Sequence, residues 1–223
     1  MQHLQPSSWM NDDHVAYQDA VRQFLQAEVM PNKERWTEQG FVEREFWLKA
    51  GEAGLLGATI PEEYGGSGAA RSFDAVTFLE QGRAGDSGWG FGVHNIVTHY
   101  LLAYGTEAQK KRWLPGLANG EFVGAIAMTE PGTGSDLQSV RTRAELDGDH
   151  YVIDGAKTFI TNGQTANLIC VVAKTDSDAK ASGISLIMVE TDEAEGFKRG
   201  RNLNKVGMKR QDTSCLLYTS PSP

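Results

Sequence analysis

Apolar positions fall at helical spacing in the first half of the chain and at strand spacing in the second. Tyr17, Val21, Phe24, Leu25 and Val29 recur every three or four residues. They follow Asn11, Asp12 and Asp13, whose side chains suit helix N-caps. Pro31 ends or bends that helix, because proline has no N–H to donate and its ring strikes the preceding turn. Phe46, Trp47 and Ala50 place a second helix over roughly Glu43 to Ala53, with Gly54 at its C-terminal end. Ser72 is expected to cap a third, which carries Phe73, Val76, Leu79 and Gln81 towards Gly82. A longer helix is expected from Gly90 to Tyr104. Thr106 and Gln109 have capping-box spacing, each side chain satisfying a backbone N–H of the other residue. They open a helix through Trp113, Leu114 and Leu117 that Asn119–Gly120 closes.

Beyond residue 121 the period changes to two. The run Phe122–Ala127 is apolar, and Asp147-Gly148-Asp149 between Arg141–Leu146 and His150–Ile153 is a hairpin signal. Lys157–Thr161 alternates and stops at Asn162-Gly163, and Leu168–Ala173 and Ile184–Glu190 are short buried-strand patterns. Helices followed by strands predict an α+β chain or two domains, helical before a boundary near Gly120 and β in the middle domain after it. Cys215–Pro223 gives neither a helix stop nor a domain terminus. It reads as a non-native tail of the kind that adapter read-through leaves, so the middle domain is expected over 121–214.

Composition narrows the function classes. The chain has 223 residues, 40% hydrophobic and 22% charged, enough for one large domain or two smaller ones. A net charge of −8 argues against a nucleic-acid partner, since no basic stripe is available to displace counterions. No apolar run reaches the length of a membrane span. The first nine residues show no signal-peptide pattern. Cys170 sits in a buried-strand pattern, and with Cys215 it forms no disulfide framework or metal spacing. The expected compartment is reducing: a cytoplasm, or a mitochondrial matrix for a eukaryotic source.

Candidate chemistry concentrates in Met128-Thr-Glu-Pro-Gly-Thr-Gly-Ser-Asp136, where an apolar strand empties into a small, polar, Gly-rich loop. Such a loop lets backbone N–H groups approach an anion or a flat ring; it can equally be a tight strand exit. It lacks the third glycine of a dinucleotide fingerprint, Leu137 standing there. Tyr64-Gly65-Gly66-Ser67-Gly68 imitates a phosphate cradle but follows no strand, so a plain loop is the better reading. His94 and His99 do not share a helix face, which leaves no two-His metal site. Glu62-Glu63 and Asp12-Asp13 read as solvated surface.

Five segments in order resemble the acyl-CoA dehydrogenase family, with a long-chain flavour. They are Ala53–Gly57, Ile60–Gly66, Ala127–Asp136, Lys157–Gly163 and Lys205–Thr213. The resemblance implies an all-helical N-terminal domain, an antiparallel, β-barrel-like middle domain, and FAD held between that middle domain and a C-terminal four-helix bundle that the sequence does not include. It implies cofactor contacts along Ile126, Met128, Thr129, Gly134 and Ser135, and from Phe159, Ile160 and Thr161. Phe159 would pack on the flavin ring, where many relatives carry tryptophan, and Thr161 would hydrogen-bond near it. Ser135 and Ser182 would meet a fatty acyl-CoA. The implied reaction is α,β-dehydrogenation to a trans-2-enoyl-CoA, with electron-transfer flavoprotein as acceptor and a homotetramer as the full-length assembly. The family's catalytic glutamate falls beyond residue 223, so the chain is expected to be inactive alone. Acyl-CoA oxidases and flavin monooxygenases share the architecture, and a non-catalytic flavin- or CoA-binding fragment is the alternative outside the enzymes.

Overall fold

The computed structural model of the chain describes residues 7–86 and 88–218. Its helices are α1 (Asp12–Phe24), α2 (Lys33–Gln39), α3 (Arg44–Glu52), α4 (Ser72–Arg83), α5 (Phe91–Tyr104) and α6 (Glu107–Asn119). Its strands are β1 (Gly124–Ala127), β2 (Arg143–Asp147), β3 (His150–Thr161), β4 (Leu168–Lys174), β5 (Ile184–Glu190), β6 (Phe197–Asn202) and β7 (Thr213–Tyr218).

Side-chain caps open α1 and α6. The Asn11 side chain accepts from the His14 amide at 3.0 Å, and the His14 ring accepts from the Asn11 amide at 3.3 Å. Thr106 and Gln109 form the expected reciprocal box at 2.9 and 3.3 Å. Pro31 acts one turn upstream of itself. The helix widens to a π turn over Leu25–Val29 and tightens to a 3-10 turn over Met30–Asn32 before α2 begins. That relieves the clash between the proline ring and the carbonyl four residues back. Helix α2 has one buried residue, Trp36, which is why no periodic stripe announced it. Ser72 is not a cap: it is the first residue of α4, and its hydroxyl lies 2.8 Å from His14 Nε2, tying α4 to α1.

Two glycines let α3 meet the end of α6. A Cβ on Gly120, which sits at φ +82°, would lie 2.2 Å from the Trp47 carbonyl oxygen. One on Gly51 would lie 2.2 Å from that of Asn119. The close approach lets Trp47 join Trp36, Phe46, Trp89 and Phe91 in a buried aromatic cluster.

The sheet curls into a half-barrel with strand order β1-β4-β2-β3-β7-β6, β5 lying against β4. Four pairings are antiparallel; β1 and β2 run parallel to β4. The sheet is therefore mixed rather than purely antiparallel. Its β3 unites two segments that the sequence pattern separated, pairing with β2 through Asp154 and with β7 from Gly155 onwards. Strand β6 went unrecognised because Phe197-Lys-Arg-Gly-Arg-Asn is mostly charged.

The expected tail is partly a strand. Cys215 to Tyr218 complete β7 between β3 and β6, with Leu216 and Tyr218 in the core. Residues 219–223 lie outside the described residues. One core cluster runs through both halves, from Val21, Trp36 and Trp47 to Ala125, Ile169 and Leu216, so the boundary near Gly120 is a change of secondary structure inside shared packing. No helix among the described residues is long and apolar enough to cross a membrane.

Candidate functional site

Strand β1 is held at both ends, and the candidate site grows from its C-terminal end. At the N-terminal end, the Gly124 amide donates to His94 Nδ1 at 3.1 Å, and His94 Nε2 lies 3.1 Å from the Leu117 carbonyl oxygen. The amide fixes Nδ1 as acceptor, so Nε2 carries the proton and donates. His94 is completely buried, and burial lowers its pKa to about 4. It is a neutral bolt between α5, α6 and β1, and no ligand. Asn162 adds a second bolt, its side-chain amide donating to the carbonyls of Gly90 and Gly124 at 3.1 and 3.0 Å.

At the other end, β1 delivers Met128 and Thr129 into the loop that returns at Arg141–Thr142. Glu130 closes its neck. The Glu130 carboxylate accepts from the Arg141 amide at 2.6 Å, the Thr142 amide at 2.9 Å, the Thr142 hydroxyl at 2.6 Å and Lys157 Nζ at 2.9 Å. Burial alone would raise its pKa; the hydrogen bonds from Thr142, Lys157 and the two amides outweigh that and hold it at about 2. Lys157 has no exposed surface, and burial pulls its pKa down while Glu130 pulls it up. Within the loop, the Thr133 hydroxyl donates to the Ser139 carbonyl at 2.9 Å.

Strand β3 runs alongside. The Thr158 amide donates to the Thr129 carbonyl at 2.8 Å instead of to β7, where the register shifts between Lys157 and Ile160. The bulge leaves Phe159 at φ +58°, a conformation rare for a non-glycine residue, with 66% of its surface exposed. An aromatic ring turned outward by a strained backbone is a cost the fold alone does not need. Along β3 and the loop after β1, the hydroxyls of Thr129, Ser135 and Thr161 make no hydrogen bond to protein among the described residues. A Cβ on Gly132 or Gly134 would meet nothing within 4 Å, so the loop presents bare backbone on an open side.

The structure thus brings together Met128, Thr129 and the Lys157–Thr161 stretch of β3, while Gly134 and Ser135 lie further out on the exposed loop. Ile160 departs from the expectation. Its side chain is 2% exposed and belongs to the core, because the bulge that turns Phe159 out turns its neighbour in. Ile126 is half-buried against Leu168 and the second core cluster. Ser182 stands apart on the turn between β4 and β5, its hydroxyl donating to the Ala179 carbonyl at 2.6 Å. Because β1 and β4 are parallel, that turn and the Glu130 loop leave the same end of the sheet.

Sequence reasoning missed the pairing of Glu130 with Lys157. The signal was available in principle: each is a lone charge among apolar, hydroxyl or glycine neighbours, and the charges are opposite. Tyr64–Gly68 is the plain loop expected. Tyr64 donates to Glu107 at 2.7 Å, and a Cβ on Gly66 would lie 2.1 Å from the Ile60 carbonyl oxygen. Cys170 is buried and its thiol is pushed up to about 12, which rules out a nucleophile. No group of His, Cys, Asp or Glu among the described residues could hold a metal. A cavity of about 660 Å³ lies elsewhere, between Tyr151, Met188 and Phe197, and one of about 360 Å³ lies against the loop, between Glu130, Gly132, Thr142 and Gly155.

A helical layer shares its core with a curled mixed sheet, which presents a Gly-rich loop at the end of a strand. The chain belongs to the acyl-CoA dehydrogenase family: the family's N-terminal domain matches residues 11–121 and its middle domain residues 125–220. The mitochondrial long-chain specific acyl-CoA dehydrogenase of Rattus norvegicus is 46% identical over 211 residues, 93% of this chain and 49% of that protein. The crystal structure of an acyl-CoA dehydrogenase from Geobacillus kaustophilus superposes with a TM-score of 0.92 at 45% identity, covering 96% of this chain and 57% of that one. A glutaryl-CoA dehydrogenase from Mycobacterium smegmatis in complex with FADH2 superposes at 0.85 and 31% identity, over 94% of this chain and 53% of that one. The chain spans about half the length of the curated relatives it matches.

Proposed function

We propose that Met128, Thr129, Gly134, Ser135, Phe159 and Thr161 form one wall of an FAD site. The chain would then be the flavin- and acyl-CoA-binding part of an acyl-CoA dehydrogenase. The observation that carries this reading is Phe159, exposed at a positive φ on a strand bonded to Thr129, with the Thr129 and Thr161 hydroxyls left without a protein partner among the described residues. A flat apolar face flanked by small donors fits a flavin ring, whose faces are apolar and whose edge is polar. The bare backbone at Gly132 and Gly134 admits close approach. Ile160 would contribute through its main chain only.

When bound, FAD would supply the hydride acceptor for oxidation of a fatty acyl-CoA to a trans-2-enoyl-CoA. The chain's own residues bind and orient: Phe159 covers a ring face, Thr129 and Thr161 donate hydrogen bonds, and Ser135 and Ser182 meet the acyl-CoA. Glu130, the buried carboxylate at the neck of this loop, does not serve as the base that removes the α proton. Its lone pairs are occupied by four donors and its pKa lies far below that of a useful base. Residues 1–223 alone therefore bind without turning over. Family membership supports electron-transfer flavoprotein as the acceptor and a homotetramer for a longer protein.

The test is to express residues 1–223, add FAD, and assay octanoyl- and palmitoyl-CoA with an artificial electron acceptor. Flavin absorbance that co-elutes with the chain, without sustained reduction of the acceptor, is the expected result. A folded chain that retains no flavin would overturn the wall, and steady turnover would overturn the assignment of Glu130.

A further inference from the structure

The position of Lys157 in the sheet gives it a role beyond neutralising Glu130. Along one edge of β4, strand β1 is paired as far as Val171 and β2 takes over at Lys174. Between them the edge has a gap, and there the loop Met128–Thr142 leaves the sheet. Lys157 Nζ stands in that gap. It donates to the Val172 carbonyl at 2.7 Å, the Met128 carbonyl at 3.0 Å and Glu130 at 2.9 Å, which uses all three of its protons. The Lys174 amide donates to the Thr142 carbonyl at 2.8 Å just beyond, and Glu130 holds the Arg141 and Thr142 amides.

One ion pair thus fastens the departing strand, the returning strand, β3 and the edge of β4. Each element of the proposed wall is a short step from it. Met128 is bonded to it directly. Thr129 is fixed to β3 through the Thr158 amide, next to Lys157. Phe159 follows Lys157 by two positions, and Gly134 and Ser135 lie within the loop that Glu130 closes.

We propose that Lys157 and Glu130 are positioning residues for this wall: the pair sets the width of the loop's neck, and with it the spacing of Thr129 and Ser135 from Phe159. This rests on the flavin reading given above. A buried ion pair is a poor source of net stability, because the loss of hydration offsets the attraction between the charges. What a charge pair supplies, and an apolar pair of equal volume does not, is direction. Without it the carbonyls of Met128 and Val172 and the amides of Arg141 and Thr142 lose their partners, and the neck must move to find others.

The test separates geometry from stability with the double variant Lys157→Met/Glu130→Gln, which removes both charges at nearly constant volume. Thermal unfolding, FAD titration by flavin fluorescence, and amide hydrogen exchange are read on the whole chain. The expected result is a moderate fall in melting temperature, from the orphaned Met128 and Val172 carbonyls, and faster exchange confined to residues 128–142. FAD affinity should fall by roughly tenfold to a hundredfold, the effect of removing a supporting shell behind a binding group. Unchanged exchange in the loop overturns the proposal whatever the FAD titration shows, and so does parental FAD affinity. If the parent binds no FAD, the flavin reading fails, while loop-confined exchange in the double variant still sustains the control of the neck. If the double variant does not fold, Thr142→Val removes one donor to Glu130 and leaves the pair intact. A several-fold loss of FAD affinity with faster exchange of the Arg141 and Thr142 amides then supports the proposal, and parental behaviour overturns it.

Discussion

The two ends of β1 are held by different chemistry. At Gly124 the partners are neutral: a buried histidine, an asparagine amide, and an aromatic cluster behind them. At Met128–Glu130 the partners are a buried lysine and carboxylate, and the surface in front is a strained, exposed phenylalanine. The neutral end buries much apolar surface around neutral hydrogen bonds, which is how stability is gained. The charged end spends desolvation and backbone strain to hold a few atoms in place. The difference separates the part of the molecule that keeps it folded from the part that meets a ligand.

The largest expected effect lies at the neutral end. Trp47→Ala should lower unfolding free energy by about 4 kcal/mol in denaturant melts, since it removes a fully buried ring that packs on both Trp89 and His94. A loss as small as that of a surface substitution would mean that the helical layer does not depend on this cluster.

Next is pH. His94 is held neutral by burial, its pKa lowered to about 4 from 6.5. Above the unfolded value both states are neutral and the group is silent. As pH falls from about 6.5 towards 4, the unfolded chain takes up the proton first, so stability drops, by on the order of 3 kcal/mol. Denaturant melts between pH 7 and pH 4.5 should show that slope, and His94→Gln should flatten it while lowering stability at pH 7. An unchanged slope in His94→Gln would place the pH dependence elsewhere.

The smallest stability effect belongs to the site. Phe159→Gly should leave stability unchanged or raise it by about 1 kcal/mol, because glycine accepts φ +58° freely and the lost ring is mostly exposed. FAD affinity should fall in the same variant. A marked destabilisation would show that the ring is part of the core and would blur the contrast between the two ends.

What the sequence disclosed follows the range of the interactions. The Thr106–Gln109 box and the Asp147–His150 hairpin are decided within a few residues, and both stand as expected. The bare loop after β1 was legible because proline and glycine mark it. The Glu130–Lys157 pair was not, because it joins residues 27 positions apart that share no periodic pattern. The inward turn of Ile160 depends on a bulge, which only the pairing of β3 with β7 creates. Strand β6 hides because its charged side chains face solvent, and β7 because its alternation continues into a stretch that composition marks as foreign.

The most direct test of the wall is a map of where FAD lands. In a ¹⁵N NMR titration of the chain with FAD, amide shifts should move at Met128, Thr129, Gly134 and Ser135 and at Phe159–Thr161, and stay still along the larger groove at Tyr151, Met188 and Phe197. Shifts confined to that groove, or none at saturating FAD, would contradict the account.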